Sequence, residues 1–444
     1  MRPLCFNMRW AVVFLLVTGS EALPPAYSIA LTNVLSNLLR RATRDTPVAG
    51  MAPKTENIPK ELAHLRPTTD LISKLGLPAE GHYVTTEDGY TLRMDRIPRP
   101  GSPVAFLGNV LSCSSACFVA LGRDSIASRL YDAGYDVWLG NWRGSGLSLK
   151  HKYLKPSQRE FWNFGFHEHG SMDLPAMVDY ILGVTREPSL TFIGHSMGST
   201  AFLVTAAVRP EYDKLINGAF LMGPVGDLSH HNNSALLKTV HSIENSTAKA
   251  LPLQFPGSDF MIRYLGGMFC RFNVPSLAQN EPNKRCPLLR AVGDMMGGAG
   301  YVVYPVDLQY YAPSGISMGE VNHYAQLSNP GWTGFRKYNY GRRKNREIYG
   351  QDVPPDYDLT KSRTPVYVYT GKTDVWTPPQ AINQLHTSFK NFRRAFEMPD
   401  KVFGHFDFVL NPTRAPVLYD LILQDMKELR DEQYFIGNRK RSAN

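Results

Sequence analysis

Three residues of the chain are of the types that form a catalytic triad. Ser196 can act as a nucleophile, His405 as its base, and Asp374 as the group that orients the base. Ser196 lies in the stretch TFIGHSMGST, where Gly194 and Gly198 stand two residues before and after it. This spacing is typical of the sharp strand-to-helix turn that exposes a nucleophilic serine. Because the same pentapeptide also occurs in ordinary glycine-rich turns, its interpretation depends on the surrounding elements.

The segments on either side of Ser196 have the patterns that such a turn requires. SLTFIG has the pattern of a buried strand, and the apolar STAFLVTAAV that of a helix. In this setting the two glycines allow a close backbone approach, and the helix N-terminus favours developing negative charge. We therefore interpret Ser196 as a candidate nucleophile.

A serine hydroxyl is a weak nucleophile and needs a base, which in turn needs an orienting group. In folds that carry a serine on this turn, an acidic residue and then a histidine follow the serine along the chain. Asp374 follows the predicted strand TPVYVYTG, and His405 follows the next predicted strand. Three neighbouring candidates are weaker: His386 lies within a predicted helix, His195 adjoins the serine, and Asp407 is too close to His405 in sequence to orient it.

Strands and helices alternate along most of the chain, which predicts an α/β fold with a mostly parallel sheet. HYVTTEDGYTLRMDRIP predicts a hairpin at Asp88-Gly89, and the segments that follow it alternate in type. The alternation stops at about residue 226 and resumes after residue 362. We therefore predict a core in two parts, 67–225 and 363–444, with a mainly helical cap or lid inserted at 226–362.

The N-terminus predicts a secreted protein. Residues 1–22 combine Arg2 and Arg9, the apolar AVVFLLV and a small-residue cleavage site, as in a signal peptide. Residues 23–66 then read as an extension or pro-segment, and no segment is as apolar and long as a membrane span. Asn232 and Asn245 begin glycosylation triplets, which agree with secretion.

The composition fits an ordinary globular protein: of 444 residues, 43% are hydrophobic and 20% charged, with a net charge of +9. The default interpretation of this charge is a well-solvated surface, and weak attraction to anionic lipid is the functional alternative. A secreted chain without a recognition motif is a poor candidate for nucleic-acid binding. After signal removal four cysteines remain, and they allow three disulfide connectivities: Cys113, Cys117, Cys270 and Cys286.

Long blocks of the chain resemble the acid lipases, the gastric and lysosomal lipase family. They surround the three candidate residues and include EGHYVTTEDGYTLRMDRIP, GYDVWLGNWRGSGLS, EFWNFGFHEHGSMDLPAMVDYIL, VNHYAQL and FRKYNYG. The resemblance runs from about residue 67 to the last predicted helix. It implies an α/β-hydrolase with a helical cap that cleaves esters of neutral lipids, such as triacylglycerols or cholesteryl esters, at a lipid–water interface.

The resemblance also implies how individual residues act. Ser196, Asp374 and His405 would form the catalytic triad, and no metal or cofactor is implied. The backbone N–H groups of Met197 and Leu111 would form the oxyanion hole. A disulfide is frequent in this family in the region of Cys270 and Cys286, which makes that short-loop pairing the preferred one.

The chain departs from the family where the loop after the strand SPVAF usually reads His-Gly. Here the sequence is FLGNVLSCSSAC, with Asn109-Val110 at those positions and Leu111 at the donor position. A β-branched valine resists the positive φ that glycine adopts freely. This departure keeps open a catalytically impaired protein that binds lipid. Activity on short-chain esters is a further alternative.

One other motif attracts attention, the stretch His167-Glu168-His169. It lacks the two histidines four residues apart that a zinc-binding helix uses. It also falls within a block of a family that carries no metal. We therefore interpret it as structural.

Overall fold

The computed structural model describes residues 66–230, 314–329 and 331–442, with side chains to residue 436. Before the gap, the helices and strands are α1 (Thr68–Lys74), β1 (Glu80–Thr85), β2 (Tyr90–Ile97), β3 (Val104–Gly108), α2 (Ile126–Asp132), β4 (Asp136–Gly140), β5 (Lys150–His151), α3 (Phe166–Glu168), α4 (Leu174–Thr185), β6 (Leu190–His195), α5 (Met197–Val208) and β7 (Ile216–Met222). After it come α6 (Met318–Leu327), α7 (Arg342–Tyr349), β8 (Val366–Thr370), α8 (Pro379–Ser388), β9 (Phe392–Glu397), α9 (Asp407–Leu410) and α10 (Ala415–Ser442).

Within the described residues, nine strands form a single sheet. Its order is β1-β2-β4-β3-β6-β7-β8-β9, with β5 beside β2. The pairs from β4 to β9 are parallel, whereas β2 pairs antiparallel with β1, β4 and β5. The predicted α/β class with a mostly parallel sheet and an N-terminal hairpin is confirmed.

Helices cover both faces of the sheet, which explains why β3, β4 and β8 are buried along their whole length. Side chains of β3 alternate between two apolar clusters: Phe106 packs on one face, and Ala105 and Leu107 on the other. Helix α5 packs closely against the segment between α3 and α4, which contains Gly170. A Cβ at Gly170 would lie 2.4 Å from the carbonyl oxygen of Ala201 in α5, so this contact requires glycine.

The parallel strands place four loops at one edge of the sheet. Strands β3, β6, β7 and β8 all end there, at Gly108, His195, Met222 and Thr370. In open α/β sheets, the carboxyl ends of the strands are where ligands bind. The candidate residues follow these same strand ends and the end of β9.

Several predictions fall on residues that the structure does not describe. These are the signal peptide 1–22, the extension except Arg66, most of the predicted cap 226–362, both glycosylation triplets, Cys270 and Cys286. The domain boundaries therefore stay predictions. The apolar pattern PVLYDLILQDMKEL predicts the last helix, which in the structure is longer and continues to Ser442. In the described ranges, no helix is long and apolar enough to span a membrane.

Candidate active site

Ser196 lies at the point where β6 gives way to α5, as the sequence predicts. Its backbone has φ 56° and ψ −113°, a conformation that a residue with a side chain rarely adopts. The Ser196 N–H donates to the carbonyl of Met222 in β7 at 3.0 Å, which helps to hold the turn. Such local strain persists only where the surrounding structure enforces it, and it is frequent at functional sites.

The glycines on either side of Ser196 are required by close approach. A Cβ at Gly194 would lie 2.7 Å from the amide nitrogen of Ser199. A Cβ at Gly198 would lie only 2.0 Å from the carbonyl oxygen of Gly108, at the end of β3. The turn therefore packs directly against the neighbouring strand end, and neither position accommodates a side chain.

The structure brings the three candidate residues together. Nε2 of His405 is 2.7 Å from Oγ of Ser196, and Nδ1 of His405 is 2.9 Å from Oδ2 of Asp374. All three side chains are nearly buried. Because a carboxylate only accepts hydrogen bonds, Nδ1 carries a proton, which leaves Nε2 free to accept the hydroxyl proton of Ser196 in the neutral imidazole.

Backbone hydrogen bonds hold Asp374 and its loop. The N–H of Trp376 donates to Oδ1 of Asp374 at 2.9 Å. The N–H of Thr373 donates to the carbonyl of Phe403 at 3.0 Å, which joins this loop to the one that carries His405. The carboxylate is thus oriented by its own loop and tied to the histidine's loop.

Gly223 is a site residue that the sequence reasoning missed. It follows β7 with φ +52°, and a Cβ there would lie 3.0 Å from Oδ2 of Asp374 and 3.2 Å from Nδ1 of His405. The only sequence signal is a glycine directly after a buried strand. Its absence of a side chain leaves the room in which the carboxylate and imidazole meet.

The weaker candidates take other places. His386 lies in α8, as predicted, and its side chain is exposed. Asp407 accepts hydrogen bonds from the N–H of Gly404 at 2.7 Å and from Nδ2 of Asn411 at 2.8 Å, so it supports the loop of His405. Burial raises the pKa of Asp407, and these two hydrogen bonds oppose the shift.

His195 is buried and contacts the backbone of His405 instead of the hydroxyl of Ser196. Its Nε2 is 3.0 Å from the carbonyl oxygen of His405, and the two rings are 5.2 Å apart. Burial, together with the nearby His405, lowers the pKa of His195 well below its usual value. His195 is therefore neutral, with its proton on Nε2.

The two predicted oxyanion donors follow the ends of β6 and β3, two strands that are paired in the sheet. Met197 is the first residue of α5, and N–H groups in the first turn of a helix have no intrahelical acceptor. Leu111 lies in the loop that leaves β3 at Gly108, the residue that packs against Gly198. The helix N-terminus adds a partial positive charge at this position.

The conflict expected at Val110 does not arise. The positive φ of this loop falls on Ser112, at 61°, and Val110 is not among the described residues with positive φ. The N–H of Cys113 donates to the carbonyl of Val110 at 3.2 Å and closes a tight turn. A β-branched residue at the first position of this turn is therefore compatible with its backbone.

The same loop carries a disulfide between Cys113 and Cys117, whose Cα atoms are 6.4 Å apart. This bond selects one of the three possible connectivities, since it leaves Cys270 and Cys286 as the remaining pair. Those two cysteines lie outside the described residues, so the preferred pairing stays a prediction.

The three side chains of the stretch His167-Glu168-His169 make hydrogen bonds with different partners. Nδ1 of His167 is 2.9 Å from the hydroxyl of Tyr357, and Glu168 accepts from the N–H of Gly165 at 2.7 Å. His169 is fully buried, with Nδ1 at 3.0 Å from Asp173 and Nε2 at 2.8 Å from Glu320. The two histidines thus engage different partners.

Burial alone would lower the pKa of His169, but the hydrogen bonds to the two carboxylates outweigh it and raise the pKa to about 9. Glu320 also caps α6, where it accepts from the N–H of Ser317 at 2.5 Å. The charged imidazole therefore joins the segment after the gap to the core.

Comparisons with known proteins agree with this architecture. The family described as "alpha/beta hydrolase fold" matches residues 120–412, and the family described as "Partial alpha/beta-hydrolase lipase region" matches residues 68–122. Lipase 1 of Drosophila melanogaster is 33% identical over 374 residues, covering 84% of this chain and 82% of the fly protein.

Two human proteins are also similar to the chain. Lipase member N is 31% identical over 379 residues, covering 81% of this chain and 90% of that protein. Gastric triacylglycerol lipase is 29% identical over 372 residues, with coverages of 81% and 90%. With its mostly parallel sheet and its serine at a strand-to-helix turn, the chain belongs to the acid lipase family of α/β-hydrolases and is a carboxylic ester hydrolase.

Proposed function

We propose that the chain is a lipase that hydrolyses esters of neutral lipids through a triad of Ser196, His405 and Asp374. The observation that carries the proposal is the continuous hydrogen-bond chain between them, 2.7 Å from Ser196 to His405 and 2.9 Å from His405 to Asp374. This arrangement activates a hydroxyl that is otherwise a weak nucleophile.

In the first half of the proposed reaction, Oγ of Ser196 attacks the ester carbonyl as Nε2 of His405 takes the hydroxyl proton. The new C–O bond displaces the carbonyl π electrons onto oxygen, and the imidazolium is stabilised by Asp374. The tetrahedral intermediate then collapses as the histidine returns its proton to the departing alcohol. The product is an acyl-enzyme on Ser196.

In the second half, His405 removes a proton from water as the water oxygen attacks the acyl carbonyl. The tetrahedral intermediate then collapses with cleavage of the bond between the acyl carbon and Oγ of Ser196, Oγ takes the proton back from His405, and the fatty acid is released. In both halves the negative charge on the carbonyl oxygen needs preorganised donors. We assign this role to the N–H groups of Met197 and Leu111, at the start of α5 and in the loop after β3. Loss of one such donor typically lowers turnover by ~10²–10³-fold.

The similarity to relatives named gastric triacylglycerol lipase supports the substrate class that we propose. We propose triacylglycerols or cholesteryl esters presented at a lipid–water interface. Secretion, with the lysosome as the alternative destination, and glycosylation at Asn232 and Asn245 belong to the same proposal. They are supported by the apolar N-terminal segment and the two acceptor triplets.

A fluorophosphonate probe tests the chemistry directly. We expect covalent labelling of the wild-type protein at Ser196 and none of the S196A variant. S196A should lose more than ~10⁴-fold in turnover, as nucleophile removal does in other serine hydrolases, while its melting temperature stays unchanged. A wild-type protein that resists labelling, or an S196A variant with near wild-type turnover, would refute the triad and favour the lipid-binding alternative.

Substrate preference needs a second assay. Triolein, cholesteryl oleate and p-nitrophenyl butyrate are compared side by side as emulsions or in solution. We expect the two long-chain esters to have higher specificity constants than p-nitrophenyl butyrate. A marked preference for the butyrate would favour the short-chain esterase alternative.

A further inference from the structure

The loop that carries Leu111 begins at a fixed point. Gly108 ends β3, and its carbonyl lies against Gly198, so that a Cβ on Gly198 would be 2.0 Å from this oxygen. Gly108 is also paired in register with Gly194 of β6. The start of the loop is therefore fixed relative to Ser196, and the positions of later residues depend on what holds the rest.

Asn109 makes the first internal contact of the loop. It is completely buried, and its Nδ2 donates to the carbonyl of Cys113 at 2.5 Å. Its own carbonyl accepts from Nε1 of Trp142 at 2.8 Å. The side chain thus spans the loop from its first residue to its fifth, and the indole fixes the backbone at its origin.

Between these two ends lies the turn from Val110 to Cys113. The N–H of Cys113 donates to the carbonyl of Val110, and Ser112 takes the positive φ. Leu111 is the second residue of this turn, so its N–H direction depends on the closure of the turn. Both of these hydrogen bonds within the loop end on Cys113. From outside the loop, the N–H of Ser314 donates to the carbonyl of Ser112 at 2.7 Å and Oγ of Ser145 donates to the carbonyl of Cys113 at 3.2 Å.

The disulfide anchors Cys113 in turn to Cys117, in the 3₁₀ helix Ser115–Val119. This helix is fixed to the core at its start, because the N–H of Ser115 donates to Oδ1 of Asn141 at 2.8 Å. Asn141 directly follows β4. The end of the loop is therefore tied to the strand beside β3 through a covalent bond and a hydrogen bond.

We propose that Asn109 and the Cys113–Cys117 disulfide are positioning elements of the oxyanion loop, which hold the turn that presents the N–H of Leu111 together with the outside contacts of Ser314 and Ser145. This inference rests on the proposed function, because it assigns a role within the same site. The amide of Asn109 supplies a local hydrogen bond that sets the first half of the turn. The disulfide holds the second half against the core.

The test uses the N109A and C113A/C117A variants of the full chain. We expect each to lower kcat for p-nitrophenyl butyrate by about 10–100-fold, less than or equal to the loss of a complete donor, with KM little changed. A matched control is N391A, which removes a half-buried asparagine far from the site in sequence whose Nδ2 also donates to a backbone carbonyl, that of Arg363, at 3.0 Å. N391A should retain wild-type kcat.

A second readout separates positioning from general structural support. Butylboronic acid adds reversibly to a serine hydroxyl and gives a tetrahedral anion, which places an oxygen where the oxyanion forms. Its inhibition constant should rise in the two loop variants by the same factor as kcat/KM falls. The inhibition constant of butyrate, a planar product, should change little.

The outcomes are distinguishable. Wild-type kcat in both loop variants, or loss of activity with an unchanged boronate constant, overturns the inference while the proposed triad stands. A wild-type protein that is neither labelled by fluorophosphonate nor inhibited by the boronate overturns the proposed function itself. If N109A does not fold, the N109H variant replaces it, because histidine offers a ring N–H to the carbonyl of Cys113. A kcat close to wild type in N109H supports the inference. A loss of kcat as large as that of C113A/C117A refutes it.

Discussion

The residue before the candidate nucleophile donates a hydrogen bond to the backbone of the candidate base: Nε2 of His195 is 3.0 Å from the carbonyl oxygen of His405. A carbonyl only accepts, so the proton of this buried imidazole is on Nε2. The turn that carries Ser196 and the loop that carries His405 are thereby joined directly, apart from the hydrogen bond between their side chains.

Replacement of His195 by phenylalanine should lower kcat by roughly 10–100-fold, because small displacements of reacting groups have effects of this size. The ring would still fill the space, but the carbonyl of His405 would lose its donor. Glutamine at position 195 retains a donor and should keep kcat close to wild type. Kinetic constants and melting temperatures of H195F and H195Q are the measurement, and equal kcat in both variants would contradict the prediction.

Gly223 should not tolerate a side chain. In G223A the new Cβ would lie 3.0 Å from Oδ2 of Asp374, on a backbone with φ +52° that costs a non-glycine residue about 1–2 kcal/mol. We expect kcat to fall by roughly 10–100-fold as the carboxylate and imidazole are displaced. Steady-state kinetics with p-nitrophenyl butyrate measures the effect.

The control for G223A is G183A. Gly183 lies in helix α4, and a Cβ there would meet no atom within 4 Å. Alanine is favoured over glycine within a helix by up to about 1 kcal/mol, so G183A should keep wild-type kcat and an equal or higher melting temperature. A G223A variant with the same kinetics as G183A would show that the space beside Asp374 is not limiting.

The sequence was sufficient to predict the main elements and the meeting of Ser196, Asp374 and His405 at one edge of the sheet, because strand ends and chain order restrict each position strongly. It was not sufficient for Gly223, whose importance arises only when the ends of β7 and β8 lie side by side. The pairing of Cys113 with Cys117 was one of several possibilities. The positive φ expected at Val110 fell on Ser112, two residues later, within the turn that the N–H of Cys113 closes on the carbonyl of Val110.

The ion pairs of His169 predict a loss of stability at alkaline pH. The folded pKa of about 9 lies above the ordinary value of about 6.5, so the native state binds an additional proton between these values. The stabilisation is fully present below about pH 6.5, declines as pH rises, and is lost above about pH 9. It is on the order of 3 kcal/mol, from about 1.4 kcal/mol per pKa unit.

The groups that face this imidazole are Asp173, Glu320 and, behind Asp173, Arg143 at 2.6 Å from that carboxylate. Burial alone would raise the pKa of Asp173, but Arg143 and His169 lower it, so the carboxylate stays charged in this range. The variant E320Q removes one carboxylate and should reduce the alkaline decline in melting temperature between pH 6.5 and 9. E211Q, which neutralises an exposed carboxylate, serves as control; identical profiles for E320Q and wild type would refute the assignment.

The buried His323 predicts that the free energy of unfolding falls as the pH falls below about 6.5. Its ring stacks on Phe166 with centroids 3.7 Å apart, and its Nε2 donates to the carbonyl of Arg336 at 3.0 Å. Burial outweighs this hydrogen bond and lowers the pKa of His323 to about 3. Between about pH 3 and 6.5 the unfolded chain therefore binds a proton that the native state does not, so stability falls as the pH falls.

The variant H323Q isolates this contribution, because glutamine offers a donor to the carbonyl of Arg336 and does not titrate. The free energy of unfolding of the wild type should fall more steeply between pH 6.5 and 4 than that of H323Q, by up to about 1.4 kcal/mol per pH unit. H386Q removes an exposed histidine and should keep the wild-type slope. Urea unfolding at several pH values measures the slopes, and an H323Q slope as steep as that of the wild type would mean that His323 is protonated in the native state.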